Sequence, residues 1–336
     1  MLFADSRPAH SPQDKGHNGQ QPIPMRLGWW WKAPRGILLV VVTVVLTSIA
    51  AFGATRPNTG NPPAPTSATP SPSGGLPTPV TAPNTASPPD LSDLATTIAR
   101  IAGEHRVEVG VQLATLAAPD KQVEQSWRTG TVYSSPALGT IDLAMGMALV
   151  DDPKPPSSLD HLLNRSLADN SASASEAIWT YLGGGEDAAA RTQTALRFYQ
   201  NWGVSVAASS TTSPSTPFRD TNWPLSAQAE FMAHMGCDRI HAFPVLSKLN
   251  DPADNPWGLQ GMPMARARAD TGFLPNGSAV ARQAGLVRTR DGVTLGVAMV
   301  AIDPTGDIDQ TRGALTRIAG RLRPDAVGFV AGGCSA

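Results

Sequence analysis

The chain has 336 residues, enough for one large domain or two ordinary ones, and sets 26 Lys and Arg against 27 Asp and Glu for a net charge of −1. So even a balance gives no sign of a nucleic-acid partner, which would want a basic face. Its two cysteines, Cys237 and Cys334, read as unrelated thiols in a cytosolic protein and as a disulfide in an exported one, so location decides between them.

Residues 1–35 begin with a polar stretch lacking apolar periodicity and are expected to form a disordered cytoplasmic tail. From Gly36 to Thr55 run 20 residues without a charge. At 1.5 Å per helical residue that length crosses a bilayer core of about 30 Å. Arg26, Lys32 and Arg35 precede it, whereas Arg56 is the only charge after it until Asp90. The positive-inside rule then places the N-terminus in the cytoplasm and the rest outside, with Trp29, Trp30 and Trp31 as an interfacial belt. A cleaved signal peptide ending near Ala51-Phe52-Gly53 is the competing reading. The apolar run is long for one, and no cysteine stands nearby to carry a lipid.

Residues 56–90 hold eleven prolines among Thr, Ser, Asn, Ala and Gly. This composition predicts an extended spacer, roughly 100 Å long at about 3.1 Å per residue. It also permits O-glycosylation.

Residues 91–336 are the folded candidate. Leu91, Leu94, Ile98 and Ile101 recur at helical spacing. Val107, Val109, Val111 and Leu113 then alternate as in a strand, and residues 122–134 read as a second strand. Helical patterns follow near 136–150, 157–166, 172–183 and 186–201, with Gly183-Gly184-Gly185 as a helix-ending loop rather than a phosphate cradle. A Ser, Thr and Pro-rich loop covers 208–224. Two apolar strands flank Arg290-Asp291-Gly292, a hairpin signal, and a helix starting at Asp307 or Asp309 closes the chain. The order predicts an α+β fold: terminal helices on one face of an antiparallel sheet built from both chain ends, plus a helical subdomain.

Outside the membrane, Cys237 and Cys334 are expected to pair, closing a loop of 97 positions. On the chain-entropy account such a loop is worth about 4–5 kcal/mol. His105, His161, His234 and His241 lack metal-ligand spacing, so neither metal nor cofactor is assigned.

The order of elements, with "VYSSPALGTIDLAMGMAL", "LADNSASASEAIWTYLG", "TPFRDTNWPLSAQAEFMAHM" and "GSAVARQAGLV", resembles the serine β-lactamase and penicillin-binding-protein superfamily. It is most similar to the small actinobacterial serine-hydrolase-like members. The resemblance implies three motifs. A serine followed by lysine one helical turn later, S-x-x-K, attacks the substrate. S-D-N supplies a proton-shuttling hydroxyl and a substrate-holding amide. K-[ST]-G on an edge strand binds a carboxylate.

Each motif is altered. Ser134, at the join of a strand and a helix, fits the nucleophile, but Ala137 stands where lysine belongs. Counting from Ser135 gives Leu138, and no lysine in the chain has a serine three residues before it. The second motif reads Ala168-Asp169-Asn170, keeping the amide without the hydroxyl. The third reads Asp270-Thr271-Gly272, a charge reversal.

Ser134 is therefore a nucleophile without its base or simply a helix cap. Asn170 is a ligand-binding or a loop-capping amide. Arg266, Arg268 and Asp270 share one strand face, where Arg268 takes over anion binding or sits on a solvated surface. The leading expectation is a membrane-anchored pseudoenzyme that binds a peptidoglycan-like wall component or an envelope protein. The alternatives are a serine hydrolase using Ser134 with an unfamiliar base, and a purely structural envelope module.

Overall fold

The computed structural model describes residue 87 and residues 89–211, 215–250 and 255–334. The expectations for the tail, for the apolar segment 36–55 and for nearly all of the spacer lie outside those residues. Among the described residues, no helix is long and apolar enough to cross a membrane. The chain divides into two units, Met1–Gly75 and Leu76–Ala336.

The second unit opens with α1 (Ser92–His105), which buries Leu94, Ile98 and Ile101, as their spacing predicts. Strands β1 (Glu108–Thr115) and β2 (Ser126–Gly130) follow. Strands β5 (Ala265–Phe273), β6 (Ala279–Arg288) and β7 (Thr294–Asp303) come late in the chain, and α8 (Ile308–Asp325) closes the fold. The sheet order is β2-β1-β7-β6-β5 with every pair antiparallel. Pairing of Glu108 with Ile302 through Thr115 with Leu295 joins the two chain ends at its centre, as expected. Asp307 settles the start of α8, because its carboxylate accepts the backbone N–H groups of Asp309 and Gln310.

β1 departs from the predicted alternation. Its residues after Glu108 are all buried, not every second one. A sheet covered on both faces buries both sides of its strands. On one face α1 and α8 close a core of Leu94, Ile98, Val111, Leu113, Leu315 and Ile318. On the other lies α6 (Leu225–Cys237), contributing Leu225, Ala229 and Ala233. It comes so close that a Cβ on Gly296 would stand 2.2 Å from the Ala229 carbonyl.

Beyond α6 sits the helical block. It comprises α2 (Asp142–Val150), α3 (Leu159–Leu163), α4 (Ala172–Tyr181), α5 (Gly185–Phe198) and α7 (Phe243–Leu246). α2 is apolar on every side after its first residue, so it can only be a central helix. Trp179, Tyr199, Phe218, Trp223 and Phe231 surround that core. Among the described residues, the three hydrophobic cores draw on residues 91–329, all within the second unit.

Two predicted elements change character. The expected second strand pairs with β1 only over Ser126–Gly130. The chain then leaves the sheet, and β3 (Ser134–Pro136) pairs with β4 (Asn222–Pro224), which lies inside the expected 208–224 loop. The helix expected from 136 begins as a 3-10 turn, Leu138–Ile141, and becomes α-helical at Asp142. Cys237 and Cys334 form the expected disulfide, with a Cα–Cα distance of 5.1 Å. It ties the end of α6 to the C-terminal tail.

Candidate functional site

β5 is an edge strand, and its Asp270-Thr271-Gly272 segment faces the turn that starts α2. Leu138 holds a left-handed φ of 50°, a costly backbone for leucine. The next residue, Gly139, directs its N–H onto Asp270 Oδ2 at 2.7 Å. Asp270 is buried and accepts three more donors. Asn170 Nδ2 reaches Oδ1 at 3.1 Å, the Thr271 N–H reaches Oδ1 at 2.8 Å, and Arg219 Nη2 reaches Oδ2 at 2.7 Å. Asn170 itself takes a left-handed φ of 54°, which asparagine tolerates.

Beside this group lies a second ion pair. Asp142, the first residue of α2, is 0% exposed, and its Oδ2 accepts Arg268 Nη2 at 2.9 Å. Ser175 donates to the same oxygen at 2.8 Å, and Ser166 shares a 3.1 Å hydrogen bond with Ser175. Arg268 is 1% exposed and also donates to the Ala269 carbonyl. Burial raises the Asp142 carboxyl above its usual range, while Arg268 pulls it back. Among the described residues, Asp142 Oδ1 and Arg268 Nε have no hydrogen-bond partner. Two carboxylates and two guanidiniums thus make a largely buried network linking α2 and β5.

This network leaves Gly139 no space for a side chain. A Cβ there would lie 2.5 Å from Arg268 Nη2 and 2.7 Å from Asp270 Oδ2. On the far side of the strand motif, a Cβ on Gly272 would meet Leu138 Cδ2 at 3.1 Å.

The predicted site residues separate into two groups. Asn170, Asp270, Thr271 and Gly272 meet the start of α2. Ser134 does not stand at a helix N-terminus: it lies on β3, and its hydroxyl donates to Asn222 Oδ1. Ala137 is buried, and its N–H donates to the Thr221 carbonyl. Ala168 is buried, and Asp169 forms an ion pair with Arg165 at 3.0 Å. Arg268 is not on a solvated face, because it packs inward against Asp142. Nor is it open for a foreign anion, because Asp142 already fills that place. Arg266, on the same strand face, is exposed.

Sequence reasoning missed Gly139, Asp142, Arg219, Ser166 and Ser175. One signal was available for Asp142, which is the only charged residue between Arg128 and Asp151. It also missed Arg282, 0% exposed and, among the described residues, without a carboxylate partner. Arg282 donates to Gln228 Oε1 at 2.9 Å, to Ser135 Oγ at 2.6 Å and to the Ser135 and Trp223 carbonyls. Burial pushes its pKa down to about 9. It braces β3 and β4 against β6.

No family profile matches the sequence, and no curated protein is significantly similar to it. Solved structures do match. The TLA-3 extended-spectrum β-lactamase is 11% identical with a TM-score of 0.53, over 69% of this chain and 98% of that one. A β-lactamase from Chitinophaga pinensis DSM 2588 is 14% identical with a TM-score of 0.52, over 68% and 97%. A mutant of PBP-A, held as the acyl-enzyme with penicillin G, is 18% identical with a TM-score of 0.50, over 72% and 98%. The fold is therefore that of the serine β-lactamases and penicillin-binding proteins.

Proposed function

We propose that this domain is a non-catalytic member of that fold, held outside the cell by the segment 36–55 and binding a cell-wall component or an envelope protein. The observation that carries the reading is the Gly139 contact. A serine hydrolase of this fold needs a nucleophile on the turn entering its central helix, a base one turn later, and backbone N–H groups free for the developing oxyanion. Here the residue on that turn that faces the edge-strand motif is Gly139, which has no side chain. Three residues on stands Asp142, already paired with Arg268. The Gly139 N–H is satisfied by Asp270. Removing members of a catalytic unit costs orders of magnitude in rate. Ser134 offers no substitute, since its hydroxyl faces an amide oxygen rather than a base.

Membrane attachment rests on the uncharged run and its flanking cations. The disulfide fits an oxidising compartment on the outer side.

Intact-mass spectrometry of residues 76–336 after incubation with a fluorophosphonate and, separately, with penicillin G tests the catalytic half. No adduct is expected. A stoichiometric adduct that disappears in Ser134→Ala overturns the reading. Co-sedimentation with purified peptidoglycan tests the wall-binding half. Retention supports a wall ligand, and its absence directs the reading to an envelope protein.

A further inference from the structure

A cavity of about 680 Å³ opens at the opposite end of β5 from Asp270. Its floor follows from strand register. Arg266 stands opposite Leu286, and Arg288 opposite Thr294. Cross-strand partners share a side, as do residues two apart, so all four project from one face of the sheet. That face is the one α6 covers, because a Cβ on Gly236 would meet Leu116 Cδ2 at 2.7 Å and Leu286 Cδ2 at 3.0 Å. α6 ends at Cys237, and the face beyond it is left open. Leu116, Leu246, Leu249 and Leu286 form an apolar floor there.

Arg239, Arg266 and Arg288, all exposed, stand around this floor. Among the described residues lining the cavity there is no carboxylate. Two large apolar side chains, Phe243 and Met264, also line it while 60% and 56% exposed. Met264 also takes a left-handed φ of 68°, unfavourable for a residue with a side chain. A concave apolar site with a few convergent polar groups, in the range of about 300–1,000 Å³, is the usual form of a small-molecule site. Guanidinium forks match phosphate and carboxylate geometry.

We propose that this cavity binds a single-chain amphipathic anion, its phosphate or carboxylate head on Arg239, Arg266 and Arg288 and its aliphatic tail over the four leucines. Three cations with no carboxylate among the described lining residues favour an anionic head. The leucine floor favours a tail, since the hydrophobic effect rewards covering it. None of the residues lining the cavity belongs to the Asp270 network, so its failure leaves the non-catalytic reading untouched, and the reverse holds.

Calorimetric titration of residues 76–336 with dodecyl phosphate and with dodecanoate, each below its micelle concentration, tests the proposal. Saturable one-to-one binding of at least one probe is expected. Dodecanol and inorganic phosphate should each bind more weakly by roughly tenfold or more, since each lacks one half of the recognition. The triple variant Arg239→Ala, Arg266→Ala, Arg288→Ala should lose affinity by a similar factor. All three side chains are exposed, so the cores are not touched. Arg266→Glu alone serves if the triple variant does not fold. Binding of neither probe, or equal affinity in the folded variants, overturns the proposal. So does co-sedimentation with anionic phospholipid vesicles without one-to-one probe binding, which would make this a membrane-facing surface.

Discussion

The backbone N–H of Gly139 and the carboxylate of Asp270, 131 residues apart, meet at 2.7 Å. The contact puts the chain's own anion on the turn that opens α2. Backbone N–H groups at a helix start form a natural anion site. In this fold such a donor is useful to a hydrolase only while it is free to receive an oxyanion. Here Asp270 occupies it, and Arg219 and Asn170 hold Asp270 in place.

Gly139→Ser restores the nucleophile's residue type at the turn, yet no acylation is expected to follow. Its Cβ would displace Arg268 Nη2 and Asp270 Oδ2, which stand 2.5 and 2.7 Å away. Overpacking of this kind costs about 1–3 kcal/mol. Urea unfolding should show that loss, and intact mass should show no penicillin adduct. A gain in stability would mean that the network yields easily and is not what excludes a side chain.

Asp270→Ala leaves Arg219, Asn170 and the Gly139 N–H without their shared acceptor. Removing one partner of a buried ion pair costs about 3–5 kcal/mol, and Arg219 is partly solvated, so about 2–4 kcal/mol is expected. Asp270→Lys restores the K-T-G spelling but sets a third cation beside Arg219 and Arg268. It should be less stable than the alanine variant. The order of midpoints in urea checks this, and a lysine variant as stable as wild type would refute the ionic account.

Asp142 and Arg268 make a pair that can be removed together but not singly. Asp142→Ala strands a buried guanidinium and is expected to cost about 3–5 kcal/mol. The double variant Asp142→Leu, Arg268→Met replaces both charges with apolar volume and should recover most of that loss. A double-mutant cycle measures the coupling. Additive losses would mean that the two residues act independently.

Much of the fold was legible in the sequence because its signals are local. The periodicity of Leu94, Ile98 and Ile101 marks α1, the turn at Arg290-Asp291-Gly292 marks the β6–β7 hairpin, and Asp307 caps α8. The site was legible only in part. Asn170 and Asp270 were found as members of the altered S-D-N and K-[ST]-G motifs that the resemblance implies. Gly139 was not, because two serines a few residues earlier offered a more familiar nucleophile, and nothing local says that Ser134–Pro136 leaves for a separate strand pair with Asn222–Pro224. Arg268 read as an anion binder or a surface charge because its partner, Asp142, lies 126 residues away. Buried ion pairs between distant segments leave no periodic trace in either one.

His241 predicts a pH dependence of stability. Its Nδ1 lies 2.9 Å from Asp238 Oδ2, and its Nε2 contacts Asp151. Tyr199, just past α5, donates to Asp238 as well, and the Phe198 ring packs 5.4 Å from the imidazole. The cluster joins the ends of α2, α5 and α6. Partial burial alone would lower the imidazole pKa, but the bonds to Asp151 and Asp238 outweigh it and the pKa is raised. A base raised above its unfolded value, about 6.5, contributes its full stability below that pH and loses it as pH climbs through the folded pKa. The melting temperature of wild type should therefore exceed that of His241→Asn most at about pH 6, with the gap closing as pH rises towards about 8. The side chain is 34% exposed, so the gap should also shrink in high salt. A gap independent of pH would show that His241 acts by packing against Phe198 rather than by its charge.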